Sequence, residues 1–410
     1  MTATVHTAPI VLTMMGPPLR DGAVLVEHDR VLAVGPRADV VAGATGARVR
    51  DWTGVMTPGL VNAHAHLEYG PPFADLATRG LPFAQWIAEL TGRRQGMSEV
   101  DWQVSARGSA HQLLKSGTTA VADIVTRGPA IAVAASVGLQ GISYAELAGV
   151  DVKGWPVALE RLEALLGTTG RERGVSPHTL YTLSSQVFRE MVMLARDRGM
   201  RLHPHLAETS DEAEWVLSGT GAFASFVERF GFDFELAGLG TGLSAVKHCD
   251  ELGGLGADVH VAHGVHVDAE DRALLRERET VVALCTRSNA VLHAGEAPVA
   301  DYLSEGSPVG IGTDSLASCP DLDLLAEARA TRDLARRQGL ERPDEAIVRA
   351  LTLGGAQALG QDVGTLHEGS RADLAVFDVP VSGDPYEALL EHGPGRCVAT
   401  VLGGRLVHRR

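Results

Sequence analysis

The chain has few cysteines, no excess of positive charge and no long apolar run, and each of these absences excludes a class of protein. Its four cysteines (Cys249, Cys285, Cys319 and Cys397) show no paired or zinc-type spacing, which is typical of a reducing compartment. The formal net charge of -15 argues against binding to nucleic acid, which requires a basic surface. No segment approaches the roughly 20 apolar residues of a membrane span, and the N-terminus lacks a signal-peptide pattern. We therefore predict a cytoplasmic protein that binds neither nucleic acid nor membrane.

The length of the chain predicts more than one structural unit. Its 410 residues, 45% of them apolar, exceed the roughly 250 residues typical of a single barrel domain. Short alternating strands with turn signals fill residues 9–49, and a similar pattern returns in residues 369–407. We therefore predict a small β-sandwich domain built from both termini, residues 1–56 and 361–410.

The middle of the chain, residues 57–360, alternates short apolar strands with helical segments, as repeated βα units do. Eight strands are predicted: around Leu60 and at residues 118–124, 141–146, 174–178, 201–206, 258–263, 280–285 and 308–314. Helices are predicted at residues 99–115, 157–166, 186–198, 268–279 and 322–338. This order favours an α/β protein with a (β/α)8 TIM-type barrel, whose active site lies where the strands end. An open doubly wound sheet would need a glycine-rich phosphate turn after its first strand, and the sequence has none there.

Histidines and carboxylates follow several of these strands. His64 and His66 lie at the end of the first strand, and alternate residues of a strand point to the same side, so both can contact one cation. His205, His263 and Asp314 each follow an apolar run of their own. A transition metal requires nitrogen and oxygen ligands that converge from separate rigid elements. The pattern therefore predicts a metal site.

The segments VNAHAHLE, HLAET, HVAHGVHV, RSNAVLHAGEAPV, GIGTDSLAS and GGAQALG resemble the amidohydrolase superfamily, in its cytosine, adenosine and triazine aminohydrolase branch. The resemblance spans nearly the whole chain, and it also implies a homo-oligomer. It implies one divalent metal with four ligands: His64, His66, His205 and Asp314. We expect zinc, with iron as the alternative, because such ligands accept both. Many binuclear members use a lysine of the fourth strand, and no lysine lies near residues 174–178, so we predict a mononuclear site.

The same resemblance implies a hydrolytic deamination. A divalent ion lowers the pKa of its water towards about 7, which makes hydroxide available to attack a ring carbon that carries an amine. Asp314 would receive the water proton and His263 would steady the attacking oxygen. Glu208 would protonate the adjacent ring nitrogen and help to release ammonia. The predicted enzyme is thus an aminohydrolase of an aminopurine nucleoside.

Further residues are candidates for substrate binding. His178 matches a family position that contacts substrate, although a backbone-bonded strand-end histidine is the alternative. The long loop at residues 67–96 is a candidate lid. Two roles are open for Trp86 in this loop: stacking on a substrate ring, or packing in the core. The other candidates for substrate binding are Glu68, Glu146 and Asn289. Both His203 and His205 could point towards the metal. We choose His205 as the ligand, because Glu208 then falls just past the strand end, and interpret His203 as structural.

The choice of nucleoside rests on the first loop. Its segments HLEYGPPFADL and RGLPFAQWI resemble most closely deaminases of 6-amino-6-deoxyfutalosine, which belong to an alternative route of menaquinone biosynthesis. That small molecule is an adenine nucleoside with a benzoate at its 5′ end. It requires a ribose-binding acid, an aromatic wall and a cation, for which the candidates are Glu68 or Glu146, Phe83 or Trp86, and Arg79, Arg93 or Arg287. The alternatives are an adenosine, methylthioadenosine or adenosylhomocysteine deaminase, a triazine-, guanine- or cytosine-type aminohydrolase, and a non-catalytic barrel scaffold.

Overall fold

A computed structural model describes residues 3–410, apart from the side chains of Ala84 and Phe226, so residues 1 and 2 of the predicted first domain lie outside it. In chain order its strands are β1 (Thr4–Val11), β2 (Leu19–Glu27), β3 (Arg30–Pro36), β4 (Arg48–Asp51), β5 (Val55–Pro58), β6 (Leu60–Ala65), β7 (Thr118–Val125), β8 (Ile142–Leu147), β9 (Glu172–Pro177), β10 (His205–Leu206), β11 (His260–His263), β12 (Val281–Leu284), β13 (Val309–Ile311), β14 (Leu374–Phe377), β15 (Cys397–Leu402) and β16 (Arg405–Arg409).

The α-helices are α1 (Arg37–Gly43), α2 (Phe83–Gln95), α3 (Glu99–Lys115), α4 (Gly128–Val137), α5 (Trp155–Leu166), α6 (Ser185–Asp197), α7 (Ser210–Ser218), α8 (Ala222–Phe230), α9 (Ala245–Glu251), α10 (Ala269–Glu277), α11 (Thr286–Val291), α12 (Val299–Ser304), α13 (Leu324–Arg337), α14 (Asp344–Arg349), α15 (Gly355–Leu359) and α16 (Pro385–His392). Short 3₁₀ helices lie at Pro71–Phe73 and Leu76–Thr78, and a π-helical turn lies at Ala350–Gly354. No helix among the described residues is long and apolar enough to cross a membrane.

Strands from both ends of the chain share one sheet. Its order is β16-β15-β14-β5-β1-β2-β3, and β4 pairs with β1. β14 runs antiparallel to β5, with Leu374 opposite Pro58. The terminal strands therefore meet beside the segment that leads into the middle of the chain.

The middle of the chain contributes two parallel four-stranded sheets, β6-β7-β8-β9 and β10-β11-β12-β13. Single parallel bridges continue the pairing between them, Val175 with Leu202 at one side and Ala65 with Asp314 at the other. The strands are buried along their whole length, apart from Glu172 and Arg173 at the start of β9, as parallel strands covered by helices are. Each of the eight predicted strands overlaps an observed strand, with bounds that differ by a few residues, and the mixed α/β class is confirmed.

Helix boundaries follow local capping chemistry where the sequence provides it. α3 has the predicted bounds, because Ser98 and Asp101 form a capping box at its start. Its apolar side chains, such as Trp102, Ala106 and Leu113, are buried. The segment between β10 and β11 contains three helices, α7 to α9, that were not predicted.

Gly59 joins the terminal sheet to the first strand of the parallel sheets. It is the single residue between β5 and β6, and its N–H donates to the carbonyl of Asp373. A Cβ atom at Gly59 would lie 1.9 Å from Oγ1 of Thr119, a distance that no side chain can occupy. β6 is therefore held directly against the sheet that both termini build.

Candidate active site

The four predicted metal ligands lie together where β6, β10 and β13 end. Nε2 of His66 is 3.3 Å from Nε2 of His205 and 3.6 Å from Oδ1 of Asp314. Nε2 of His64 is 3.7 Å from the same oxygen. The backbone N–H of Asp314 donates to the carbonyl of His64, which ties the two strand ends to each other.

This arrangement fits a divalent cation. Nitrogen and oxygen ligands about 2.0–2.1 Å from a tetrahedral zinc ion stand about 3.3 Å apart, close to the spacing observed here. Nε2 of His64 is buried without a hydrogen-bond partner among the described residues, and such an atom is costly unless another group contacts it. Burial lowers the pKa of His66 to about 4 and those of His64 and His205 well below the usual value. All three imidazoles are therefore neutral, the form that binds metal.

His203 fixes which nitrogen of His64 is free. The carbonyl of His260 can only accept, so Nδ1 of His203, 2.9 Å away, carries the proton. Burial lowers the pKa of His203 to about 3, so the ring is neutral and its Nε2 accepts from Nδ1 of His64 at 2.8 Å. The lone pair of His64 consequently lies on Nε2, which faces Asp314. The interpretation of His203 as a residue behind the ligands agrees with these contacts.

Two serines orient Asp314. Its Oδ2 accepts from the hydroxyls of Ser288 at 2.6 Å and Ser318 at 2.8 Å. Oδ1 is left facing His64 and His66. A carboxylate held at one oxygen in this way presents the other in a defined direction, as ligands of metal sites commonly do.

Left-handed backbone occurs at three positions around the site. Ala207 has φ 54°, His263 has φ 77° and Asp314 has φ 57°. Residues other than glycine rarely adopt this conformation, which costs roughly 1–2 kcal/mol each. The turns place Glu208, His263 and Asp314 at the strand ends, so the strain coincides with the predicted catalytic residues.

Glu208 and His263 face each other beside the four ligands. Oε1 of Glu208 lies 3.6 Å from Nε2 of His263. Oδ1 of Asn289 is 2.9 Å from Nδ1 of His263 and accepts from it, which leaves Nε2 as the basic nitrogen. Burial raises the pKa of Glu208, and a carboxyl group with a raised pKa can deliver a proton near neutral pH. The carboxylate of Glu212 accepts from the backbone N–H groups of Ala207 and Glu208 and thereby holds this turn.

A cavity of about 300 Å³ opens over these groups. Most of the predicted residues line it: His66, Trp86, Glu146, His178, His205, Glu208, His263 and Asp314. Two aromatic pairs form its walls, Phe83 stacked on Trp86 and Tyr181 stacked on Phe223. Nε1 of Trp86 donates to the carbonyl of Ala317, which fixes the indole at the wall. The first loop, predicted to act as a lid, thus supplies one side of the cavity through α2.

Glu146 and His178 lie at the wall next to His205. Oε1 of Glu146 is 3.8 Å from Nδ1 of His205, and burial raises the pKa of this carboxyl group to about 8. Nδ1 of His178 is 2.9 Å from the hydroxyl of Thr182, and burial lowers the pKa of the ring to about 3. A neutral His178 can accept or donate one hydrogen bond to a ligand in the cavity.

Two predicted substrate-binding residues lie elsewhere. Both carboxylate oxygens of Glu68 accept from Thr126, one from its hydroxyl and one from its N–H, and Glu68 does not reach the cavity wall. Asn289 is likewise absent from the wall, because its side chain contacts His263 from behind. Neither residue is therefore placed to touch a molecule in this cavity.

The predicted cations are also engaged elsewhere. Arg79 pairs with Glu89, Arg93 with Asp75, and Arg287 with Asp321. The cation on the cavity wall is Arg94, which sequence reasoning missed. The spacing that could have identified it is helical, since the cavity-facing residues of α2 recur every three or four positions: Phe83, Trp86, Ile87, Leu90, Thr91 and Arg94.

The sequence of this chain is similar to those of known proteins. The sequence profile of the Amidohydrolase family matches residues 55–407. A 5-methylthioadenosine/S-adenosylhomocysteine deaminase of Pelotomaculum thermopropionicum is 31% identical over 395 residues, which cover 90% of this chain and 83% of that protein. A protein of the same name from Natronomonas pharaonis is 35% identical over 375 residues, 86% of this chain and 78% of its own length.

Solved structures share the fold at lower identity. The aminofutalosine deaminase of Helicobacter pylori in complex with methylthio-coformycin superposes with a TM-score of 0.85 at 20% identity, over 98% of this chain and 100% of that one. An adenosine deaminase of Xanthomonas campestris with bound zinc gives a TM-score of 0.79 at 23% identity, over 100% and 93% of the two chains.

Proposed function

This chain belongs to the amidohydrolase family and is a hydrolytic enzyme that acts on C–N bonds; from that premise we propose that it deaminates adenine nucleosides with the help of one divalent metal ion. The observation that carries the proposal is the convergence of three neutral histidines and Asp314 beside the facing pair Glu208 and His263. The names of its relatives support the reaction.

We propose His64, His66, His205 and Asp314 as the ligands of a single zinc ion, with iron as the alternative. When bound, the ion would supply hydroxide from water at neutral pH. The zinc in the structure of the Xanthomonas deaminase supports this choice. The two serines on Asp314 and the hydrogen bond from His64 to His203 hold these ligands in place before metal enters.

The residues around the metal would transfer the protons of the deamination reaction. Asp314 would bind the metal through Oδ1, which neither Ser288 nor Ser318 contacts, and the remaining lone pair of that oxygen would accept the proton of the attacking water. Nε2 of His263 would hold the attacking oxygen by a hydrogen bond. Glu208, whose buried carboxyl group has a raised pKa, would protonate the ring nitrogen next to the reacting carbon. The proton that Asp314 took from water would then pass to the departing amine, while Glu208 would help to release ammonia by regaining a proton from the hydroxyl group on the reacting carbon. The aromatic pairs of the wall would bind the purine ring and exclude water.

The architecture proposed for this chemistry is a closed (β/α)8 barrel over residues 57–360. The single bridges between the two parallel sheets support closure. The strands of residues 1–56 and 361–410 would form a separate β-sandwich, and the shared terminal sheet supports a common unit. The predicted homo-oligomer stays a prediction that measurement of the mass in solution would test.

Three nucleosides are candidates for the substrate. The relatives at 31% and 35% identity favour methylthioadenosine or adenosylhomocysteine. The third is 6-amino-6-deoxyfutalosine, the substrate predicted from the sequence and from menaquinone biosynthesis. A cation on the cavity wall, Arg94, favours the two that carry a carboxylate, adenosylhomocysteine and 6-amino-6-deoxyfutalosine. All three share the reaction and differ only in the group attached to the ribose.

Ammonia release from a panel of aminopurine nucleosides by zinc-loaded protein tests the proposal. Glu208→Gln should keep one metal ion per chain and lose at least about 100-fold in rate, because the amide cannot deliver a proton. Glu214→Gln, an exposed glutamate of α7, is the matched control and should behave like the wild type. Near-normal turnover by Glu208→Gln, or no ammonia from any nucleoside, would contradict the proposal.

A further inference from the structure

We infer that Arg94 binds an anionic group of the substrate, so that the enzyme prefers adenine nucleosides that carry a carboxylate over neutral ones. The inference rests on the proposed deaminase function and narrows its substrate class. It is carried by the position of Arg94 on the cavity wall and by the lack of any ion-pair partner there.

Arg94 lies on the face of α2 that borders the cavity and is partly buried. Its guanidinium carbon lies 5.5 Å from the centre of the Tyr69 ring, which supports the cation from one side. One donor, Nη2, bonds to the hydroxyl of Thr126 at 3.1 Å. Among the described residues Arg94 forms no ion pair within 4.0 Å, so its other donors are available to a molecule in the cavity.

The two nearest acidic residues do not take up these donors. Both oxygens of Glu68 accept from Thr126. Glu146 lies beside Ser176 and His205 instead. Each is more than 4.0 Å from the guanidinium. Tyr69, Glu68 and Glu146 stabilise the cation from a distance and raise the pKa of Arg94, but no carboxylate of the described residues hydrogen-bonds to it. A partly buried cation with donors left free in a cavity favours an anionic ligand that can accept from them. A guanidinium matches a carboxylate with two parallel hydrogen bonds.

Arg93 shows the contrast on the same helix. Its guanidinium pairs with both oxygens of Asp75 and donates to the carbonyl of Pro72. It is absent from the cavity wall. The neighbouring arginines thus have the same chemistry and different surroundings, and Arg93→Gln is a matched control for the loss of one positive charge on α2.

The inference separates the candidate substrates. Methylthioadenosine and adenosine carry no carboxylate, whereas adenosylhomocysteine and 6-amino-6-deoxyfutalosine do. The wild-type enzyme should therefore have a higher kcat/KM for the second pair. A hydrogen bond to a charged group is worth roughly 10- to 100-fold in binding, and that factor is the expected preference.

The test compares kcat and KM of the zinc-loaded wild type, Arg94→Gln, Arg94→Lys and Arg93→Gln on all four nucleosides. Arg94→Gln should raise KM for the carboxylate substrates about 10- to 100-fold and change the neutral ones less than about threefold. Arg94→Lys should recover part of the loss, and Arg93→Gln should match the wild type. Equal losses on neutral and charged substrates, or a wild type without preference, would overturn the inference.

Failure of the proposed function gives a different result. If the wild type releases no ammonia from any of the four, the deaminase function fails. Calorimetric binding of the same nucleosides to zinc-loaded protein then decides the role of Arg94. Tighter binding of the carboxylate compounds that is lost in Arg94→Gln supports it, and equal binding of charged and neutral compounds contradicts it.

Discussion

Replacing His203 with phenylalanine should weaken metal binding although His203 is not itself a ligand. Phenylalanine keeps an aromatic ring, although a larger one than imidazole, but removes the nitrogen that accepts from Nδ1 of His64 at 2.8 Å. The buried N–H of His64 then lacks a partner, and the ring is free to place its proton on Nε2, the nitrogen that faces Asp314. His203→Phe therefore changes which nitrogen of the ligand His64 carries the proton, although residue 203 does not contact the metal itself.

The expected magnitude follows from that one contact. Loss of a group that orients a metal ligand typically costs 10- to 100-fold in metal affinity, or about 1.4–2.7 kcal/mol. An unsatisfied buried donor costs about 1–3 kcal/mol in the free energy of unfolding. His203→Gln should recover most of both losses, because its amide oxygen can accept from His64 while its NH2 donates to the carbonyl of His260.

Competition for zinc against a chelating dye measures the affinity, and chemical denaturation of the metal-free protein measures stability. His248→Gln, a buried histidine on α9 whose Nε2 lies 3.4 Å from the hydroxyl of Ser185, is the control and should leave the zinc affinity unchanged. Wild-type zinc affinity in His203→Phe would refute the reasoning. So would an equal loss in His203→Gln, because that result would point to packing and not to the tautomer.

Three further predictions concern the same site. Gly312→Ala would place a Cβ atom 2.7 Å from that of His64, so metal content should fall and unfolding should become easier by about 1–3 kcal/mol, as metal analysis and denaturation would show. Ser288→Ala and Ser318→Ala each remove one donor to Asp314 and should each lower kcat about 10-fold, and unchanged kcat in both would contradict the orienting role. Removal of zinc by a chelator should lower the free energy of unfolding by about 4 kcal/mol relative to protein in zinc at 1,000 times its Kd, and an unchanged denaturation midpoint would contradict a metal site.

The strand-end histidines could be predicted because their geometry is local. The spacing of His64 and His66 places both rings on one side of a strand whatever the rest of the fold does. The choice of His205 over His203 also followed from spacing, since only one of them puts Glu208 just past the strand end. These inferences needed no knowledge of which segments pack together.

Residues whose direction depends on a distant segment could not be predicted in the same way. Glu68 follows the ligand strand, but Thr126 at the end of the next strand takes both of its oxygens. Arg93 and Arg94 are adjacent residues of the same type. Only the bounds of α2 and the position of Asp75 decide which of them faces the cavity. The helices between β10 and β11, one of which supplies Phe223, are only seven to nine residues long, so each has too few turns for its apolar spacing to indicate a helix from sequence alone.

The pairing of Leu374 with Pro58 has a consequence for how the enzyme matures in the cell. A growing chain exposes His64 and His66 on the ribosome long before the strand that must lie next to Pro58 has been made. Contacts so far apart in sequence form slowly. We therefore expect any metal ion held by these histidines to be loaded late, after translation, so that nascent chains would present unprotected imidazoles to competing metals in the meantime.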